Sequence, residues 1–323
     1  MLKKTFRLLI KALIAFFVVQ LTMFGWRFWS ADITKSNIAN DDLSHSLQNH
    51  VYMLSHKIGY RSVRQYDNLI KTQNYIHDQF VSFGYDVSFQ SYRVSGKNVN
   101  NIIATKKGIV LTEKIIILGA HYDSCENPGA DDNASAVAGL LEIARALSQA
   151  ETNKTIEFVA FVNEEPPFFQ TEQMGSRVYA KALKESGRDI EVAVVLEMLG
   201  YYSEKWFSQR YPPIMGIFYP NKANFITVVG NGSSKRSVNK FHNLFKKYSQ
   251  FPIEKTPAFD FIPCIDFSDH WSFWKEGYSA IMITDTAFFR NKNYHKKTDT
   301  YETLNYQYMS RVVKGVTEVL KNY

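Results

Sequence analysis

Short runs of consecutive apolar residues, separated by segments with helical spacing, restrict the folds that are open to this sequence. Several runs are apolar throughout rather than at alternate positions, which is typical of central strands covered on both faces. Strands that alternate with helices predict parallel pairing, because parallel neighbours need a crossover connection. The predicted strands are 86–92, 101–105, 115–119, 156–162, 192–196, 225–229 and 280–284. The predicted helices are 43–57, 65–83, 134–149, 176–185, 235–248 and 304–321.

This alternation predicts an α/β fold, a three-layer sandwich with a mostly parallel central sheet and helices on both faces. We expect residues 43–323 to form the catalytic domain and the polar residues 31–42 to form a linker before it. The chain has 323 residues, of which 45% are hydrophobic and 21% charged, as in ordinary globular proteins. Only two cysteines occur, which excludes a small fold held together by disulfides.

The first 30 residues differ in character from the rest of the chain. Basic residues come first, and an apolar stretch over 8–26 follows, interrupted only by Lys11 and Gln20. An uncleaved signal anchor is the reading that we favour, with the remainder of the protein outside the cytoplasm because the positive charges precede the apolar stretch. A cleaved signal peptide, which would release a secreted protein, and a buried core helix are the alternatives. The bulky residues after the stretch disfavour cleavage.

The net charge of +7 belongs mainly to this N-terminal segment. Residues 1–30 contain five basic residues and no acidic ones, which leaves the remaining chain almost neutral. Nucleic-acid binding needs clustered positive charge. We therefore predict a membrane as a partner of the N-terminal segment and no nucleic-acid partner for the domain.

Histidine and acidic residues concentrate just after the predicted strands. The carboxyl ends of parallel strands meet at one edge of a sheet, where α/β proteins place their sites. The side chains expected at this edge are His121, Asp123, Asp131, Asp132, Glu164, Glu165, Glu197 and His295. Each alone has an ordinary explanation, for example a helix N-cap for the pair Asp131-Asp132. Their occurrence at successive strand ends favours a shared site.

Imidazole and carboxylate ligands together suit Zn²⁺, whereas Ca²⁺ and Mg²⁺ prefer oxygen ligands alone. One catalytic zinc takes three protein ligands, so this larger set predicts a pair of metals bridged by a carboxylate. The neighbours Glu164 and Glu165 then divide their roles. One binds metal, and the other is free to accept a proton from the bridging water.

Four motifs occur in order along the chain. They are Ala120-His121-Tyr122-Asp123-Ser124, Pro128-Gly129-Ala130-Asp131-Asp132-Asn133-Ala134-Ser135, Asn163-Glu164-Glu165 and Tyr294-His295. As a set they resemble the di-zinc aminopeptidase family of the bacterial leucyl aminopeptidase and aminopeptidase Y type, over about residues 43–323. The resemblance implies a phosphorylase/hydrolase-like zinc exopeptidase fold, two zinc ions per chain and removal of N-terminal residues from peptides with a free N-terminus.

The resemblance also implies a role for each matching residue. His121 and Glu197 would bind one zinc, Glu165 and His295 the other, and Asp131 would bridge them. Glu164 matches the general base. Asp123 matches the acid that orients His121, fixing its tautomer and raising its basicity as a ligand. Glu197 stands where many members of the family have Asp, and either residue is able to bind a metal.

Three further residues have open roles. His270 lies in Ser268-Asp269-His270, which also resembles a family motif; it would donate to the oxyanion of the reaction or belong to a structural Asp–His pair. Tyr294 belongs to the loop before His295, which we expect to wall the substrate pocket. Cys125 and Cys264 flank the same predicted site, and we hypothesise a disulfide between them, with buried free thiols as the alternative.

The predicted function is metal-dependent aminopeptidase activity. A glutaminyl cyclase, which resembles this family in fold but uses one zinc, is the alternative enzyme. A non-catalytic ectodomain on the same fold is the alternative from another class, and it would be expected to lack some of the ligands.

Overall fold

Eight strands form one mixed sheet in the computed structural model, which describes residues 41–212, 215–256 and 263–323. The strands are β1 (Val87–Val94), β2 (Lys97–Lys106), β3 (Leu111–His121), β4 (Lys154–Phe161), β5 (Ile190–Glu197), β6 (Ile226–Val229), β7 (Ile253–Lys255) and β8 (Ala280–Thr284). Their order across the sheet is β1-β2-β4-β3-β5-β8-β6-β7. The α/β fold predicted from the alternation of strands and helices is confirmed.

Parallel pairing is confined to two parts of this sheet. Strands β4, β3, β5 and β8 run parallel to one another at its centre, and β6 runs parallel to β7 at one edge. The pairs β1–β2, β2–β4 and β6–β8 are antiparallel. Ser95 and Gly96 both have positive φ in the two-residue turn between β1 and β2, the geometry that joins antiparallel strands tightly.

Helices cover both faces of the sheet. They are α1 (Asp42–Tyr52), α2 (Tyr66–Ser82), α3 (Ala136–Leu147), α4 (Gly175–Ser186), α5 (Lys235–Tyr248), α6 (His270–Lys275) and α7 (Tyr306–Lys321). Helices α4 and α6 pack together on one face, whereas α1, α2, α3, α5 and α7 form the layer on the other. The three predicted layers are therefore present, and the short helix α6 is an addition to the prediction.

The central strands are apolar at every position because both of their faces are buried. In β3, Ile115 and Ile117 pack in the cluster that holds Tyr179 of α4 and Phe273 of α6. The intervening residues of β3 are equally buried and point to the opposite face, as successive side chains of a strand do. This burial on both faces is the physical reason that the apolar runs are continuous.

The predicted anchor of residues 1–30 lies outside the described residues, and so does most of the predicted linker. The last two linker residues, Asp41 and Asp42, belong to the start of helix α1, where Asp41 accepts a hydrogen bond from the amide of Ser44. In the described part of the chain, no helix has the length and apolar character needed to cross a membrane.

Candidate metal centre

The central parallel strands carry the predicted site residues to one edge of the sheet. His121 is the last residue of β3 and Glu197 the last residue of β5. Glu164 and Glu165 follow the end of β4, and His295 lies in the loop after β8. These strands are all parallel, so their carboxyl ends meet at the same edge.

One group of candidate ligands consists of His121, Asp132 and Glu197. The Nε2 atom of His121 lies 3.4 Å from Asp132 Oδ1 and 3.4 Å from Glu197 Oε2. All three side chains are buried, and their nearest donor atoms lie within 4.8 Å of one another. Ser268 donates a hydrogen bond of 2.7 Å to Glu197 Oε2 and fixes that carboxylate. His121 and Glu197, which were predicted to bind the same metal, therefore lie in one group.

A second group lies on the other side of Asp132. The Nε2 atom of His295 is 3.1 Å from Asp132 Oδ2 and 3.2 Å from Glu165 Oε2. The thiol of Cys125 joins Glu165 and His295, with one donor atom of each within 4.8 Å of the others. The two oxygens of Asp132 therefore face different groups, which is the geometry of a bridging carboxylate.

Asp132 lies between the two groups in the structure, at the position for which the sequence predicted Asp131. Asp131 is turned away, and its carboxylate accepts hydrogen bonds from the Gly200 amide at 2.9 Å and from Asn291 at 2.6 Å. Asp132 has φ −105° and ψ 89°, which is not helical, so neighbouring side chains diverge here. A pattern of two adjacent aspartates does not reveal which one faces the site.

Asp123 holds two parts of the site together. Its Oδ1 lies 3.4 Å from His121 Nδ1, as expected of an acid that orients a histidine ligand. Its two oxygens also accept hydrogen bonds of 3.1 Å from the backbone amides of Glu164 and Glu165. Asp123 thereby positions the candidate base and the candidate ligand beside it.

Glu164 lies beside His121 of the first group and is part of neither group of candidate ligands. Its Oε2 lies 3.8 Å from His121 Nε2, and its side chain is buried. Burial raises the pKa of Glu164 well above its usual range, and the neighbouring charges of Glu165 and Glu197 raise it further, against the attraction of His121. A carboxyl of raised pKa beside the ligands is suited to accept and return a proton.

The pKa values of other buried carboxyl groups near the site are also raised. Burial raises the pKa of Glu165 to about 7, with the charge of Asp132 adding to the effect. Burial likewise raises the pKa of Asp269 to about 7; this fully buried residue was not predicted to belong to the site. Ionised carboxylates at this density need positive charge nearby.

The two histidines supply part of that charge. Burial disfavours the charged form of Asp132, yet its close contacts with the imidazoles of His121 and His295 hold its pKa below the usual range. Burial opposes protonation of His121, and the charges of Glu197 and Glu164 outweigh it, so its pKa is raised.

The donor atoms of the site fit a divalent metal such as zinc. Both ring nitrogens of His121 and the Oε1 atom of Glu165 are buried and make no hydrogen bond within the described part of the chain. Such atoms are costly to bury unless they bind something. Imidazole nitrogen and carboxylate oxygen are zinc ligands, and a cation would offset the repulsion among the acids.

The segment around Asp132 is held in place by neighbouring residues that the sequence did not predict. Asp299 accepts hydrogen bonds from the amides of Asp131 at 3.0 Å and Asp132 at 3.2 Å. Asn133 accepts from the amide of Met198 at 2.9 Å and so links this segment to the end of β5. These contacts join segments far apart along the chain, and no local motif indicates them.

His270 joins neither ligand group. It is fully buried in α6, where its Nε2 contacts the carbonyl of Ile265 at 2.7 Å and its ring meets Trp274 edge-on. This placement favours the structural alternative over the oxyanion role. Tyr294 stacks on the ring of His295 with centroids 3.8 Å apart, and it lines an apolar cavity next to Glu197.

The hypothesis of a disulfide between Cys125 and Cys264 is wrong for this structure, because both thiols are free. Cys125 lies against Glu165 and His295. Cys264 lines the apolar cavity instead. Both cysteines flank the site, as predicted, but they lie on different sides of it.

The guanidinium of Arg61 secures the loop between β3 and α3. It is fully buried and donates hydrogen bonds of 2.7–3.1 Å to backbone carbonyls. The acceptors are the carbonyls of Leu54, Gly59, Tyr122, Pro128 and Gly129. One side chain thus holds both ends of the loop that begins after His121 and leads to Asp132.

We expect Arg61→Ala to destabilise the protein by at least about 3 kcal/mol, because it leaves several buried carbonyls without a donor. The free energy of urea unfolding measures this. Arg64→Ala is the matched control, since the side chain of Arg64 forms an exposed ion pair with Glu126 and its removal should cost less than about 0.5 kcal/mol. Equal losses in the two variants would contradict the role of Arg61.

The fold and the side chains at its edge define an α/β protein with a cluster of histidine and carboxylate side chains that are candidate metal ligands. Residues 101–320 match the model of peptidase family M28, and the chain belongs to that family. The resemblance found in its motifs is thereby confirmed.

Two relatives differ in how much of their length is matched. The uncharacterised protein YfbL of Escherichia coli K12 is 41% identical over 286 residues, which are 85% of this chain and 87% of YfbL. A probable leucine aminopeptidase of Arthroderma otae is 28% identical over 225 residues, 65% of this chain and 52% of the relative. The chain therefore matches about half the length of this aminopeptidase.

Solved structures share the fold. A zinc aminopeptidase from Bacillus subtilis superposes with a TM-score of 0.70 at 16% identity, covering 86% of this chain and 94% of that one. A glutaminyl cyclase of Bacteroides thetaiotaomicron gives 0.64 at 20% identity, covering 87% and 98%. The fold alone does not separate the predicted activity from its alternative.

Proposed function

We propose that this protein is a two-zinc aminopeptidase that removes N-terminal residues from peptides. The observation that carries the proposal is the position of Asp132, whose Oδ1 faces His121 and whose Oδ2 faces His295. Membership of a peptidase family and the similarity to a probable leucine aminopeptidase support the choice of reaction.

In this proposal His121, Asp132 and Glu197 hold one metal, while Asp132, Glu165 and His295 hold the other. Bound zinc would act as a Lewis acid that polarises the scissile carbonyl and acidifies water. The division follows the two groups of donor atoms, with the shared carboxylate between them.

Glu164 handles the protons of the reaction. It accepts a proton from the attacking water and returns it to the amine that leaves. Asp123 keeps Glu164 in place through the Glu164 amide, so that the carboxyl remains next to His121. The proposal thus assigns proton transfer to a residue outside the two groups of candidate ligands.

The apolar cavity beside Glu197 is suited to the first side chain of a peptide. Phe225, Met282, Phe288 and Tyr294 are among the residues that line it. An apolar wall next to the ligands would favour peptides that begin with an apolar residue, because their side chain leaves water on binding.

A panel of aminoacyl p-nitroanilides and a glutaminyl peptide, with and without a chelator, tests the proposal. We expect release of nitroaniline from apolar aminoacyl substrates, loss of activity with the chelator and recovery on addition of zinc. Cyclisation of the glutaminyl peptide without hydrolysis would show a cyclase instead. If the protein binds zinc but converts neither kind of substrate, a non-catalytic ectodomain would be favoured.

A further inference from the structure

Cys125 places a sulfur atom at one of the two candidate metal positions. A donor atom of Cys125, one of Glu165 and one of His295 lie within 4.8 Å of one another. Glu165 is buried in this group, and its Oε1 atom has no hydrogen-bond partner among the residues that the structure describes. The thiol therefore lies close to an imidazole and to a carboxylate whose other contacts leave one oxygen unpaired within the described residues.

We propose that Cys125 binds, as a thiolate, the metal held by Glu165 and His295. The inference rests on the proposed metal centre and not on the bond that the enzyme cleaves. On binding, the S–H bond breaks, its electron pair is donated to the metal and the proton passes to solvent.

Hydrogen bonds hold the backbone around Cys125 in place. The amide of Ser124 donates to the carbonyl of Arg61 at 2.7 Å, and Asn127 donates to the carbonyl of Cys125 at 2.8 Å. Arg61 is itself buried and bonded to the same loop at Pro128 and Gly129. A ligand on such a braced segment binds without a large cost of ordering.

A thiolate would make the two metal positions chemically different. The position of His121 and Glu197 offers nitrogen and oxygen donors, whereas the position of Glu165 and His295 adds sulfur. Sulfur ligands favour zinc and cadmium over magnesium and manganese. We therefore expect the second position to select the softer metals.

Absorption spectra of the metal-free protein loaded with cobalt(II) or cadmium(II) test the inference. Sulfur bound to either ion gives a charge-transfer band in the ultraviolet that nitrogen and oxygen ligands do not give. We expect this band in the unchanged protein and in Cys264→Ser, and its loss in Cys125→Ser. We also expect Cys125→Ser to bind cadmium at least about 10-fold more weakly, since even groups that only support a ligand contribute that much.

Metal content, measured in the same samples, separates the possible failures. Cobalt bound without a charge-transfer band, or a band that survives in Cys125→Ser, would overturn the role of Cys125 and leave the metal centre in place. No binding of either ion to the unchanged protein would overturn the metal centre itself. Alkylation by iodoacetamide gives a second measurement: metal should protect Cys125 against it, and equal labelling with and without metal would contradict the proposal.

Discussion

Replacing Glu164 with glutamine is expected to lower kcat by roughly 10²–10⁴-fold while zinc remains bound, because the amide has nearly the same shape but accepts no proton. Glu164 lies outside both ligand groups, so the metals should keep their ligands. Steady-state hydrolysis of an aminoacyl p-nitroanilide gives kcat, and elemental analysis of the same preparation gives the zinc content.

The control for this variant is Glu113→Gln, which removes the same charge from an exposed position on β3. It should hydrolyse substrate at the rate of the unchanged protein. Nearly full kcat in Glu164→Gln would exclude Glu164 as the base. Loss of zinc from this variant would instead assign Glu164 to the ligands.

The second large effect, a loss of metal affinity, is expected from Asp132→Asn. Among the described residues, only the Asp132 carboxylate contacts histidines of both groups of candidate ligands. An asparagine amide would offer one neutral oxygen in its place. Changes in groups that merely support a ligand weaken metal binding by about 10–100-fold, so loss of the shared ligand should weaken it by at least about 100-fold. Competition with a chelator of known affinity measures the change.

Asp131→Asn is the matched control, since Asp131 is adjacent and equally buried. Its oxygens accept from Gly200 and Asn291 and face neither histidine. We expect this variant to keep zinc and to lose thermal stability, because an amide has one acceptor oxygen and cannot accept from both Gly200 and Asn291 as the two oxygens of Asp131 do. The reverse result, with zinc lost from Asp131→Asn and kept by Asp132→Asn, would restore the bridge predicted from sequence.

Much of the fold follows from the apolar runs. The strand that ends at Glu197 is predictable because burial on both faces demands an apolar residue at every position. The edge strand Ile253–Lys255 escapes prediction, since three residues carry no recognisable period. The antiparallel flanks also escape it, because alternation with helices describes only the centre of the sheet.

The candidate site is predictable where one residue marks the end of a strand. The structure brings His121, Glu197 and His295 to the edge where the pattern places them. The choice between Asp131 and Asp132 depends on the backbone of an irregular turn, which residue types do not specify. Whether two cysteines form a disulfide depends on the distance between them in the folded protein, and their sequence positions do not give that distance.

The zinc content of the dialysed protein tests the central claim most directly. If Asp132 bridges two metals, the unchanged protein should retain two zinc ions per chain, and Asp132→Asn should retain at most one under the same dialysis. Elemental analysis against protein concentration from amino-acid analysis gives the ratio. One zinc per chain in the unchanged protein, with no further loss in Asp132→Asn, would contradict a bridged pair.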